Sequence, residues 1–126
     1  MATSPHWPAY LPRTLVRPQT TLWFNLEVTA ARFPERSATA FFGRELRYRE
    51  LKQAAERFAG WLASRAGVAP GERVAIYLQN SPQWLISYYG TLRAGAVVVP
   101  INPMLRAPEL RKQLDDSAAR VLVCAQ

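Results

Sequence analysis

Three short apolar runs set the main constraint on what this chain can fold into. They are Val74-Ala75-Ile76-Tyr77-Leu78, Ala96-Val97-Val98-Val99 and Val121-Leu122-Val123-Cys124. A half-exposed strand alternates apolar and polar residues, whereas a strand covered on both faces reads as a nearly unbroken apolar run. Between the runs lie two stretches with helical spacing. Ser81 and Pro82 open the first as cap and first position. Trp84, Leu85, Tyr88, Tyr89 and Leu92 are expected on its inner face, and Gly95 ends it. Pro108 opens the second, with Leu110 and Leu114 inward, and Pro100 is expected to break the strand before it. The order strand, helix, strand, helix, strand, with short connections, requires parallel strands joined by right-handed crossovers. The expected fold class is therefore α/β: an incomplete doubly wound parallel sheet, βαβαβ, over about residues 73–124.

A helix, a short β-hairpin and a second helix are expected before this sheet. Thr20 or Thr21 caps the first helix, Leu22, Leu26, Ala30 and Phe33 follow at helical spacing, and Pro34 ends it. Ala38–Phe42 and Leu46–Tyr48 read as strands around a Gly43-Arg44 turn. The second helix spans about Arg49 to Arg65, with Leu51, Ala55, Phe58, Ala59 and Leu62 as its apolar stripe. Gly67 suits a left-handed cap, and Ala69-Pro70-Gly71-Glu72 suits a type II turn. Residues 1–19 hold Pro5, Pro8, Pro12 and Pro18 and form a proline-rich N-terminal arm; residues 20–126 read as the N-terminal part of a larger, truncated domain. The arm carries Trp7, Tyr10, Leu11 and Leu15 and is expected to lie on a surface, its own or a partner's. No helix follows the last apolar run, so an exposed edge or face is expected there, with Val121 and Val123 as the residues at risk.

In an open α/β sheet, ligands bind beyond the carboxyl ends of the strands. Those ends are Gln79-Asn80-Ser81, Ile101-Asn102-Pro103 and Ala125-Gln126, and neither complete junction is glycine-rich. With no G-x-G-x-x-G and no G-x-x-x-x-G-K-[ST], the backbone offers no close phosphate cradle. Helix capping accounts for Asn80-Ser81. Asp115 and Asp116 are neighbours pointing about 100° apart, which fits a helix ending near Ser117 better than an acid/base couple. Ser4, Ser37, Ser64 and Ser87 have no neighbouring histidine, and the lone His6 and lone Cys124 cannot make a metal site. Trp84, Tyr88 and Tyr89 read as core packing rather than a ligand wall. No catalytic, cofactor-binding or metal-binding residue is assigned. The net charge of +7 is carried by scattered arginines, including Arg32, Arg36, Arg44, Arg47 and Arg49, with no basic run and no recognition motif, so nucleic acid is not an expected partner. No apolar stretch reaches the ~18 residues of a membrane span. The first ten residues lack a secretory apolar core, and a cytoplasmic setting is expected.

Several phrases resemble the N-terminal region of the adenylate-forming superfamily, which includes acyl-CoA synthetases, luciferases and the adenylation domains of peptide synthetases. They are Phe33-Pro34-Glu35-Arg36 through Arg44, Leu46–Leu51, Gly67–Ala75, Gln79–Trp84, Leu92–Pro103, Glu109-Leu110 and Leu114–Val123. Arg47 stands where the family usually has Thr, and Glu72 where it usually has Asp. The opening Trp7-Pro8, Leu11-Pro12-Arg13 and Thr20-Thr21-Leu22-Trp23 is similar to bacterial medium- and long-chain fatty-acid ligases. The resemblance implies a two-step reaction in the full enzyme: a fatty acid attacks ATP, with Mg2+ shielding the phosphates, to give an acyl-adenylate, and coenzyme A then displaces AMP. The Ser/Thr/Gly-rich phosphate loop, the adenylate-binding motifs and the C-terminal lysine of the family match no residue here. The segment is expected to be an inactive scaffold that binds none of these cofactors. Two alternatives stay open: a ligase for aryl or other carboxylic acids, and a stand-alone, non-catalytic α/β binding module. The resemblance also implies a partner for the arm, a second subunit in a homodimer; the alternative, read from the arm's apolar residues with Arg13 and Arg17, is a peripheral membrane surface.

Overall fold

The computed structural model describes residues 6–8 and 10–125. Helix α1 (Leu22–Arg32) begins at Thr21, whose hydroxyl accepts from the Phe24 amide at 3.2 Å. Its buried side is Trp23, Leu26 and Ala30, while Leu22 and Phe33, expected inward, are 54% and 43% exposed. Trp23 offers the largest apolar area on the helix, so the face containing it turns to the core.

Strands β1 (Ser37–Phe41) and β2 (Arg44–Arg47) pair antiparallel, with Phe41 opposite Arg44. The turn is Phe42-Gly43, one residue earlier than expected. Both residues have positive φ, 46° and 76°, as a type I′ turn requires. Tyr48 belongs to helix α2 (Tyr48–Ser64) rather than to the second strand. The Arg47 amide donates to Glu50 Oε2 at 2.8 Å, which fixes the helix start there. Leu51, Ala55, Ala59 and Leu62 form the buried stripe of α2, with Phe58 half-buried beside it. Gly67 takes φ +64°, and the Val68 amide then donates to the Leu62 carbonyl at 2.9 Å. Gly71 at φ +85° and a Glu72 amide to Ala69 carbonyl bond of 3.1 Å make the expected type II turn.

The parallel sheet has the order β4-β3-β5, from β3 (Arg73–Tyr77), β4 (Val97–Pro100) and β5 (Val121–Cys124). Val74 on one face of β3 packs with Leu62, Val68 and Ala96, joined by Val121 and Val123 of β5. On the opposite face, Arg73 Nε donates to the Ser117 carbonyl at 2.7 Å and the Tyr77 hydroxyl to the Leu105 carbonyl at 2.6 Å. These two bonds tie both ends of helix α4 (Ala107–Ser117) to that face. Helices α2 and α3 (Pro82–Arg93) cover the first face and α4 the second, which is the doubly wound arrangement.

Helix α3 departs from the sequence reading. Its fully buried residues are Ser87, Gly90 and Thr91; Trp84, Leu85, Tyr88, Tyr89 and Leu92 are half-buried. A Cβ at Gly90 would stand 2.7 Å from Phe58 Cδ1 and 2.8 Å from the Ala55 carbonyl oxygen. Close approach of α3 to α2 therefore requires small residues on the contact line, and the aromatic rings are displaced to its flanks. Pro100 does not break β4 but is its last residue, opposite Ile76, which a strand on the sheet edge allows. Helix α4 buries no residue fully, and Leu110 and Leu114 are half-buried. In β5 Leu122 is 38% exposed, whereas Val121 and Val123 point into the covered face. Among the described arm residues, Tyr10, Leu15 and Val16 do not dock on the chain, being 85%, 93% and 91% exposed, and Trp7 Nε1 donates to the Leu11 carbonyl at 3.2 Å in a local turn.

Candidate functional site at the strand ends

Because α3 and α4 leave adjacent strands toward opposite faces, a crevice opens beyond the carboxyl ends of the sheet. A groove of about 760 Å³ lies there. Tyr77, Leu78 and Gln79 come from the end of β3, Ser81, Gln83, Ile86 and Ser87 from the start of α3, Pro103 from the loop after β4, and Val123, Cys124 and Ala125 from β5. A smaller groove, about 340 Å³, runs between β1 and the start of α3 and is lined by Thr39, Ala40, Phe41, Trp84 and Leu85 among others.

The hydroxyls of the larger groove are already committed. Ser81 Oγ accepts from the Trp84 amide at 3.3 Å, Ser87 Oγ donates to the Gln83 carbonyl at 2.8 Å, and Tyr77 is bonded to Leu105. Asn102, at the end of the neighbouring strand, uses Oδ1 to accept from the Met104 amide at 2.9 Å. Among the described residues, no lysine, arginine, histidine or carboxylate side chain lines the groove. A triphosphate with its magnesium is held by several positive charges, and the side chains lining this groove supply none, so they do not fit that group. The groove suits an apolar or neutral polar surface.

The residues weighed from sequence do not converge. Asp115 and Asp116 sit in the last turn of α4, which ends at Ser117 beside Arg73, the first residue of β3, and hence at the opposite end of the sheet from the groove. Ser37 and Ser64 donate to the Thr39 and Gly60 carbonyls at 3.2 and 2.7 Å. His6 is exposed in the arm, and Ser4 lies outside the described residues. Among the described residues, no three His, Cys, Asp or Glu side chains gather as a metal set. Sequence reasoning missed two features. Burial, then the nearby Tyr88 and Tyr48, raise the Tyr89 hydroxyl above its ordinary pKa. Thr91 and Thr39 each bury a hydroxyl that has no hydrogen-bond partner. None of the three carries a local motif that could have marked it.

Fold and groove define part of a doubly wound α/β sheet with a crevice beyond its strand ends. The profile of the AMP-binding enzyme family matches residues 26–126, and the chain belongs to that family. It is 39% identical over 117 residues to a long-chain-fatty-acid–CoA ligase of Bacillus subtilis, covering 93% of this chain and 21% of that protein. Among solved structures it is similar to a fatty acyl CoA synthetase of Mycobacterium tuberculosis, with TM-score 0.76 and 33% identity over 81% of this chain and 20% of that one. It is similar also to an anthranilate CoA ligase in complex with anthranoyl-AMP, with TM-score 0.78 and 30% identity over 82% of this chain and 20% of that one. The chain thus spans about a fifth of the length of the relatives it matches.

Proposed function

We propose that this chain is the N-terminal scaffold segment of a ligase that activates a fatty acid with ATP and passes the acyl group to coenzyme A. The observation that carries the reading is the 39% identity to a fatty-acid ligase over 93% of the chain, which extends the likeness into the arm. An aryl-acid ligase is the second reading, favoured by the structural likeness to the anthranilate enzyme. In either case we assign no catalytic residue to this segment. The groove, whose described side chains carry no charge, is in keeping with that reading. Residues 20–126 form the start of the large domain, and residues 1–19 form the arm, which reaches a second subunit. ATP, Mg2+ and coenzyme A bind residues of the full enzyme outside this segment, which works in the cytoplasm.

Two assays test the reading. Incubated with ATP, magnesium and fatty acids, the isolated chain should release no pyrophosphate above background, and persistent turnover after further purification defeats the scaffold assignment. The full-length protein should release pyrophosphate with fatty acids in preference to anthranilate. The reverse preference moves the assignment to the aryl-acid class, and no turnover with any carboxylate leaves the family without the proposed activity.

A further inference from the structure

The tip of the β1–β2 hairpin carries a feature that packing does not explain. Phe42 is 92% exposed, and Phe41 beside it is 38% exposed, with the two rings edge to face at 4.6 Å. Phe42 occupies the first central position of the type I′ turn at φ +46°. That position favours Asn, Asp or Gly, so a phenylalanine there accepts backbone strain and apolar exposure together. Arg44 is the cross-strand partner of Phe41 and stands exposed beside the rings. At the base of the hairpin, Arg47 and Arg49 share the single carboxylate of Glu35, and Arg32 and Arg36 flank the Phe33 ring at 5.5 and 5.6 Å. Over residues 32–50 the five arginines Arg32, Arg36, Arg44, Arg47 and Arg49 outnumber Glu35, Glu45 and Glu50, which leaves the hairpin and the collar at its base net cationic.

We propose that the hairpin tip inserts Phe42, with Phe41 behind it, into the interface of an anionic lipid surface. From Phe41 to Ser37 the strand advances roughly 13 Å at about 3.3 Å per residue, which separates the apolar tip from the collar. Interfacial elements bury their apolar groups about 5–10 Å deep, so the tip reaches the acyl boundary while the guanidinium groups stay level with the headgroup phosphates. A projecting two-residue tip offers far less than the ~800 Å² per partner of a stable protein interface. The edge-to-face rings do not form the parallel platform on which successive bases stack. A fluid, negatively charged surface asks for neither. The inference does not depend on which carboxylic acid the enzyme uses.

The test is sedimentation of the full-length protein with vesicles of phosphatidylcholine alone and of phosphatidylcholine mixed in equal parts with phosphatidylglycerol. Binding is expected to the mixed vesicles, weaker to the neutral ones, and reduced by added salt. Phe42→Asn places a residue the turn prefers, so the fold is kept, and it should lower partitioning to mixed vesicles roughly tenfold. Phe42→Trp should retain binding and show a blue-shifted emission on mixing. The proposal is overturned if the full-length protein does not sediment with mixed vesicles, or if Phe42→Asn binds them as well as the parent. It is overturned equally if single-stranded DNA binds in a Phe42-dependent way and displaces the vesicles.

Discussion

At the scale of single residues, the helix contact and the hairpin turn make opposite demands. Gly90 has no Cβ because Phe58 and the Ala55 carbonyl occupy its place, and a carbonyl on a packed helix cannot swing aside. Gly→Ala in an open helix gains about 1 kcal/mol from propensity. Here the overpacking cost, about 1–3 kcal/mol, exceeds that gain. Gly90→Ala should therefore lower the urea midpoint. Thr91, one residue on, is fully buried with its hydroxyl unpartnered. Thr91→Val keeps the shape and removes the desolvated oxygen, and should raise stability by about 1 kcal/mol in the same titration. The Tyr89 hydroxyl has a raised pKa, so the folded chain keeps that proton where the unfolded chain, near the ordinary 10.0, has lost it. Its contribution is present below that value and is lost as pH rises through the folded one. Urea midpoints measured from about pH 8 to about pH 11 should fall at the alkaline end, and Tyr89→Phe should flatten the fall.

At the scale of elements, the last strand shows what a pattern can and cannot specify. The run Val121-Leu122-Val123-Cys124 announces a strand, but alternation within an all-apolar run is invisible, so the sequence could not say which side chains face the covered side. Pairing with β3 settles it. Val121 lies opposite Val74 and joins the cluster around Leu62, while Leu122 lies opposite Ala75 on the face that α4 covers only thinly. Leu122→Lys should therefore reduce self-association seen by light scattering at high concentration while leaving the melting transition in place. Val123→Lys should instead lower the melting temperature, because it removes a partly buried contact with the cluster around Leu62 and sets a charge against it. Turn and cap residues were legible for the opposite reason: Thr21, Ser81, Gly67 and Gly71 act through their own backbone conformations or adjacent amides, and all four take the expected roles. The buried side of α3 was not legible. Small residues there are chosen by the neighbouring helix, and a single helix's periodicity favours its large aromatics. The groove's location followed from strand order alone, but its lining depends on which loops approach it.

At the scale of the whole molecule, the question is what occupies the apolar surface that this segment leaves open. Tyr10, Leu15 and Val16 project from the arm into solvent, and a local turn joins Trp7 and Pro8 to Leu11. Holding such an arm in one shape costs conformational entropy of about 1–2 kcal/mol per residue. Burying three large side chains at about 1.5–3 kcal/mol each offsets only part of the cost for a free strand. A partner subunit that accepts the arm gains from it twice, because a twofold interface repeats each contact. Deleting residues 2–18 from the full-length protein should thus lower its molar mass in solution by half, as read by light scattering on a sizing column, without lowering the melting temperature of the remaining fold. An unchanged mass means that the arm does not hold two subunits together. The deletion leaves the β1–β2 hairpin intact, so vesicle binding in the same preparation should persist, and its loss would transfer the lipid contact from Phe42 to the arm.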